Sequence, residues 1–261
     1  MTDGSERVAV IVGAASGIGW ATAETLAADG CRVVVADLDA DGARRRAAEL
    51  GDPHTAAQVD VTDEASVERL FGTLAGAGAL DIAVNCAGFS NIGLITDMAV
   101  QDFRSVVDVC LTGAFLVTKH AGGHLREGGS LVHIGSLNGR QPAAGMSAYC
   151  AAKAGLAMLT QVAALEMGAR GIRVNAVAPG FVHTPLTAPA VAVPGVLDDY
   201  LDNTALGRAG TPEDIANAVA YLCDPRSSWL TGEVLDINGG AHLKRYPDLL
   251  GHVQRLVDQS T

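Results

Sequence analysis

The chain has 261 residues, with 18 Lys+Arg against 29 Asp+Glu and a formal net charge of -11; that sign would repel phosphate backbones and anionic lipid surfaces, which sets nucleic acid and membranes aside as partners. Hydrophobic residues make up 49% and charged residues 18%, with 31 glycines against 9 prolines. This composition excludes global disorder and points to a single domain, 1–261, with many tight turns.

The polar start, Met1 to Arg7, lacks the basic flank and apolar run of a signal peptide. Val8 to Val12 predicts a first strand and 17–29 a helix; Arg32 to Ala36 predicts a second strand and 41–50 a second helix. Ala56 to Val59, a helix over 63–74, Leu80 to Val84 and one long helix over about 102–125 continue the alternation. Ser130 to Ile134, a helix over about 147–169, Val174 to Ala178, a helix over 212–222 and Glu233 to Ile237 complete it. Seven strands, apolar on both faces and separated by helices, predict an α/β fold: a doubly wound, seven-stranded parallel sheet with helices on both faces.

The longest stretch without Asp, Glu, Lys or Arg, Val174 to Leu197, carries Pro179, Pro185, Pro189 and Pro194, too many breaks for a membrane-spanning helix. Residues 186–206, proline-broken and then acidic, read as a substrate lid. Residues 243–261 read as a C-terminal extension with a short amphipathic helix, facing its own fold or a neighbouring subunit. The five cysteines form no Cys-x-x-Cys pair and the seven histidines no metal-ligand spacing, so a reducing, cytoplasmic setting without a metal is expected.

Strand one ends in Gly13-Ala14-Ala15-Ser16-Gly17-Ile18-Gly19 and passes into a helix. Backbone N–H groups and the positive end of a helix dipole would there face a pyrophosphate. By itself this turn fits a tight connection equally well. Asp37, at the end of strand two and 18 residues beyond Gly19, stands close to the offset of about 20 residues at which an acidic residue meets an adenosine ribose. Its other reading is a helix cap. A carboxylate at that place repels a 2′-phosphate, and neither Ser16 nor Leu38 offers a positive charge, so NAD(H) is expected over NADP(H).

Tyr149 and Lys153 lie four apart at the start of a helical stretch, so both side chains leave one face. An ammonium about 4 Å from a phenol is worth roughly 4 kcal/mol at an effective dielectric near 20, or about 3 pKa units. That is enough in principle to bring a phenol from about 10 towards neutrality, fit to give or take a proton, before desolvation takes some back; by itself the spacing also fits a surface helix contact.

The ordered set Gly13-x3-Gly17-Ile18-Gly19, Asp60-Val61, Asn85-Cys86-Ala87-Gly88, Ser136, Tyr149-x3-Lys153 and Pro179-Gly180-x3-Thr184 resembles the short-chain dehydrogenase/reductase family over about residues 6–240. The resemblance implies a Rossmann fold in which a nicotinamide dinucleotide exchanges hydride with a secondary alcohol or ketone. It also implies a homotetramer, with the helices around 102–125 and 147–169 forming one interface. By the same resemblance Tyr149 is the general acid/base, Lys153 lowers its pKa and binds the nicotinamide ribose, and Ser136 orients the substrate oxygen. Asp60 and Val61 would meet the adenine, Asn85, Ala87 and Gly88 would wall the adenine ribose, and Pro179, Gly180, Val182 and Thr184 would fix the carboxamide. Leu137, Asn138, Met146 and Phe181, with the lid, would frame a mostly apolar substrate pocket.

Three positions depart from the pattern: Val12 replaces a threonine, Cys86 the second asparagine of Asn-Asn-Ala-Gly, and Cys110 the asparagine that completes the family's catalytic tetrad. A thiol is a weak hydrogen-bond partner for that work, so slower proton relay is expected. Two alternatives remain open at this point: a catalytically impaired NAD-binding sensor or structural subunit, and a reductase of carrier-bound 3-keto esters.

Overall fold

The computed structural model describes residues 6–75 and 80–259; the first residues of the polar N-terminus and the last two of the extension lie outside them. Seven strands, β1 (Arg7–Val12), β2 (Cys31–Asp37), β3 (Thr55–Gln58), β4 (Leu80–Asn85), β5 (Leu125–Ile134), β6 (Arg173–Pro179) and β7 (Val234–Ile237), form one parallel sheet in the order β3-β2-β1-β4-β5-β6-β7. The chain reverses its direction of growth between β1 and β4, which opens a crevice at their carboxyl ends. Alternation along β1 shows why its run is continuously apolar: Val10 and Val12 pack with Val34, Phe71 and Val117, whereas Ala9 and Ile11 pack with Leu26, Ile82 and Ile215. The edge strand β3, Thr-Ala-Ala-Gln, is half-exposed and does not share that pattern.

The connecting helices are α1 (Gly17–Ala28), α2 (Ala40–Leu50), α3 (Glu64–Ala75), α4 (Val100–Val107), α5 (Gly113–His124), α6 (Ser147–Met167), α7 (Ala188–Val191), α8 (Val196–Asp202), α9 (Pro212–Cys223) and α10 (Leu249–Asp258). Two stretches, 102–125 and the lid, differ from the sequence expectation. The single helix over 102–125 is two helices joined by a π turn, Asp108–Thr112, which inserts an extra residue and turns Cys110 inward. The lid contains two short helices, α7 and α8. The extension is irregular until Asp248 caps α10 by accepting from the N–H of Gly251 at 3.1 Å. The helix α6 has its expected span; with the turn after it, Ser147–Arg170 holds an 18-residue window of mean hydropathy 1.3, enough by length and composition to cross a membrane. Inspection for uncharged stretches passes over it because Lys153 and Glu166 interrupt it, and its inner residues Leu156, Ala163 and Ala164 are buried in the fold.

His133 on β5 is fully buried, with Nε2 3.1 Å from Thr118 Oγ1. Thr118 donates its own proton to the Ala114 carbonyl, so Nε2 carries the hydrogen and Nδ1 is an acceptor without a partner. Burial, aided by the Lys153 charge, pushes this imidazole down from 6.5 to about 3. The unfolded chain takes up a proton below pH 6.5 and the folded chain does not until about pH 3. The neutral ring's contribution is therefore complete above pH 6.5 and falls by roughly 2 kcal/mol at pH 5. Urea unfolding at pH 7 and pH 5 should show a smaller loss on acidification in His133→Leu than in the wild type; equal losses would contradict this.

Candidate active site

Two cavities open at the carboxyl ends of the strands. The first, about 500 Å³, is lined by the turn after β1, the end of β2, the Asp60–Val61 segment, Ala87–Gly88, Tyr149, Lys153 and the Pro179–Thr184 loop. Its glycines are dictated by contact: Gly13 has φ +81°, and a Cβ on it would lie 2.8 Å from the Ala87 nitrogen; one on Gly19 would lie 2.0 Å from the Gly13 carbonyl oxygen. Ser16 precedes α1 without capping it, and no acidic residue occupies its first turn, so the helix presents N–H groups and a positive dipole end to the cavity. Asp37 is fixed at the rim, its carboxylate accepting from the N–H groups of Ala15 (2.8 Å) and Asp39 (3.0 Å). Asp60 accepts from the N–H and hydroxyl of Thr62 at 2.9 and 2.7 Å.

These features fit a dinucleotide: a glycine cradle with no room for a Cβ, an uncapped helix start for the pyrophosphate, and a fixed carboxylate one strand away. Among the described residues, Lys153 is the only cationic one on the cavity wall. Arg46, which donates to the Ala15 carbonyl, is committed to Glu49 and lies over the Trp20 ring. Ser16, Gly17, Ile18, Leu38, Val61, Pro179, Gly180, Val182 and Thr184 all border the cavity. Asn85 does not. It is buried at the end of β4, where its Oδ1 accepts from the Ala87 N–H at 3.3 Å and shapes the wall from behind.

The second cavity, about 370 Å³, contains Leu137, Asn138, Met146 and Phe181, together with the lid and the start of the extension. Ser136 and Tyr149 border both cavities, so the two spaces meet at that pair. Ser136 lies two residues beyond β5 and caps a short helical turn, Leu137–Gly139, accepting from the Asn138 N–H at 3.1 Å. Gly139 lets α6 approach this turn, since a Cβ there would stand 3.0 Å from the Lys153 carbonyl oxygen. The first turns of α6 then deliver Tyr149 and Lys153 on one face.

The electrostatics of that pair differ from the sequence expectation. Lys153 Nζ donates to the Ile134 carbonyl at 2.7 Å and lies 5.5 Å from the centroid of the Tyr149 ring. Burial, together with the neighbouring Cys110 thiol, pushes the phenol above its ordinary value, and the Ser136 hydrogen bond works in the opposite direction. Burial likewise lowers Lys153. Desolvation therefore dominates, and the phenol is held in its protonated form.

Cys110 does not border either cavity. Its Sγ donates to the Phe89 carbonyl at 3.3 Å, and it sits behind Gly88, where a Cβ would be 3.5 Å from this sulfur and 3.6 Å from Lys153 Nζ. All five cysteines are free thiols, and burial pushes Cys86 up to about 12, so it stays protonated. Sequence reasoning missed Tyr200 on α8 and Tyr246 in the extension, which line the second cavity with hydroxyls 2.9 Å apart. The signal was present: in a chain with only 4% aromatic residues and 4 tyrosines, one falls in the lid and one in the extension. The extension packs on its own fold through Asp199 of α8, which accepts from Arg245 (2.5 Å) and the Asp248 N–H (2.9 Å) and faces His252 (3.2 Å).

Comparison with known proteins agrees with this architecture. A family model described as Enoyl-(Acyl carrier protein) reductase matches residues 13–242. A cis-4-hydroxycyclohexanecarboxylate dehydrogenase from Sinomonas cyclohexanicum is 41% identical over 242 residues, covering 90% of this chain and 96% of the relative. The 3-oxoacyl-[acyl-carrier-protein] reductase FabG of Vibrio cholerae serotype O1 is 34% identical over 245 residues, covering 91% and 98%. Among solved structures, a short-chain type dehydrogenase/reductase from Mycobacterium ulcerans superposes with a TM-score of 0.92 at 32% identity, over 97% of this chain and 95% of that one.

Proposed function

The chain belongs to the short-chain dehydrogenase/reductase family, and on that premise we propose that it is an NAD(H)-dependent oxidoreductase interconverting a secondary alcohol and its ketone, with a cyclic, largely apolar substrate. The observation that carries this is the meeting of a dinucleotide-shaped cavity and a separate apolar cavity at Ser136 and Tyr149. When bound, the nicotinamide exchanges a hydride with the carbinol carbon. Tyr149 Oη gives its proton to the carbonyl oxygen in reduction and takes it back in oxidation; the protonated phenol is the form that reduction needs. Ser136 donates a hydrogen bond to the same oxygen and orients it. Lys153 places a positive charge beneath the ring and, with Tyr149, would hold the nicotinamide ribose.

The Gly13–Gly19 turn would bind the pyrophosphate, Asp37 the adenosine ribose hydroxyls, Asp60 and Val61 the adenine, and Pro179, Gly180, Val182 and Thr184 the carboxamide. The cyclic substrate is supported by the second cavity, where Phe181 stacks on Tyr200 with centroids 4.4 Å apart, and by the alicyclic alcohol in the name of the Sinomonas relative. Residues Phe115, Met158, Val162 and Leu165 of α5 and α6 are exposed, and we assign them to contacts between copies in a homotetramer.

The test is NADH or NADPH consumption with aliphatic, cyclic and steroidal ketones. Turnover of cyclic ketones with NADH is expected; NADH binding without turnover of any ketone would favour a non-catalytic binder. Because Cys110 lies behind Gly88 and not on the cavity wall, Cys110→Asn should keep or raise turnover. A severe loss in folded Cys110→Asn protein would give the thiol a role of its own.

A further inference from the structure

Ser136 is linked to the C-terminal extension by a continuous set of polar contacts. Its Oγ accepts from the Asn138 N–H at 3.1 Å and lies 3.5 Å from Oδ1 of the same asparagine. That Oδ1 accepts from the Tyr246 hydroxyl at 3.2 Å, and the Tyr246 oxygen is 2.9 Å from that of Tyr200. The amide has one orientation, because Asn138 Nδ2 donates to the Gln141 carbonyl at 3.2 Å. Tyr246 has a single proton, directed to Oδ1, so Tyr200 is the donor to Tyr246. The other acceptor near Tyr246, the Met146 sulfur at 3.8 Å, is weaker.

These directions bear on the proton of Ser136. At 3.5 Å the serine's contact with Oδ1 is long, whereas Tyr246 holds the same oxygen at 3.2 Å. Without the Tyr246 hydroxyl, the amide is free to close on Ser136 and keep its proton. We propose that Tyr246 is a positioning residue: by drawing Asn138 Oδ1 away from Ser136, it leaves the serine hydroxyl free to donate to the substrate oxygen. This rests on the alcohol/ketone reading above. The placement of Tyr246 is secured on both sides, by Arg245 and Asp248 bonding Asp199 and by Tyr200 stacking on Phe181. The lid and the extension thus reach the reacting atoms through one asparagine.

Tyr246→Phe keeps the ring and removes only the hydroxyl. The single-turnover rate of ketone reduction should fall about tenfold, the worth of one hydrogen bond, with half-saturation by ketone within about twofold of wild type. In an Asn138→Ala background, which lacks Oδ1, adding Tyr246→Phe should cost less than about twofold. Asn138→Val serves the same purpose if the alanine variant does not fold. Equal losses from Tyr246→Phe in both backgrounds would mark a packing role and overturn the inference. A Tyr246→Phe rate equal to that of an active wild type would overturn it while leaving the alcohol/ketone reading intact. A wild type that reduces no ketone would remove that reading and the inference with it.

Discussion

Tyr149→Phe is expected to lower ketone reduction by about 10² to 10⁴, with a far smaller loss of NADH affinity, that of the one ribose contact its hydroxyl would make. The ring fills the same space in the variant, and Lys153 Nζ keeps its bond to the Ile134 carbonyl, because that bond does not involve the phenol. What disappears is the phenol proton; of the other side-chain donors that border both cavities among the described residues, Ser136 and Thr187, the Thr187 hydroxyl is already given to the Val182 carbonyl at 2.6 Å. The serine hydroxyl is a far weaker acid than a phenol and cannot substitute as a general acid. A variant within about tenfold of the wild type would mean that the proton reaches the carbonyl oxygen from another group, and Tyr149 would lose its assignment.

The second large effect concerns cofactor choice. A carboxylate about 4 Å from a phosphate charge at an effective dielectric near 20 opposes binding by roughly 4 kcal/mol before screening, so discrimination against NADPH of about 10² or more is expected from Asp37. Asp37→Asn removes the charge and keeps one of its two backbone bonds: the amide oxygen still accepts from the Ala15 N–H and holds the turn after β1, while the Asp39 N–H loses its acceptor. Fluorescence titration should then find the preference for NADH over NADPH reduced to within about tenfold. Tighter binding of NADPH than NADH by the wild type would overturn the assignment of Asp37 and move the dinucleotide preference elsewhere on the wall.

The sheet was legible in the sequence because its information is local. Runs such as Val33-Val34-Val35 are apolar on both faces only when helices cover both, and all three are buried in the seven-stranded parallel sheet. The glycines were legible for a related reason: at Gly13 and Gly19 the backbone approaches so closely that only a missing Cβ is tolerated. What escaped depends on contacts between distant segments. The π turn at Asp108–Thr112 adds one residue to an otherwise regular helical pattern, and nothing in Val-Cys-Leu-Thr announces it. The direction of the Tyr149 shift turned on where Lys153 Nζ points, and spacing along α6 gives the shared face but not the carbonyl of Ile134 as partner. Asn85 follows the family pattern by position, yet its side chain is folded back onto Ala87, which only the turn geometry reveals. Tyr200 and Tyr246 lie 46 positions apart and meet because Asp199 gathers the extension onto α8.

The most direct test is to supply NADH carrying deuterium at both nicotinamide C4 positions, together with the cyclic ketone most rapidly reduced, and to examine the alcohol by mass spectrometry and NMR. Deuterium on the carbinol carbon, its yield matching the dinucleotide oxidised, is the result expected of hydride exchange across the junction at Ser136 and Tyr149. Alcohol formed without the label, or dinucleotide bound and left unoxidised with every ketone, would contradict it.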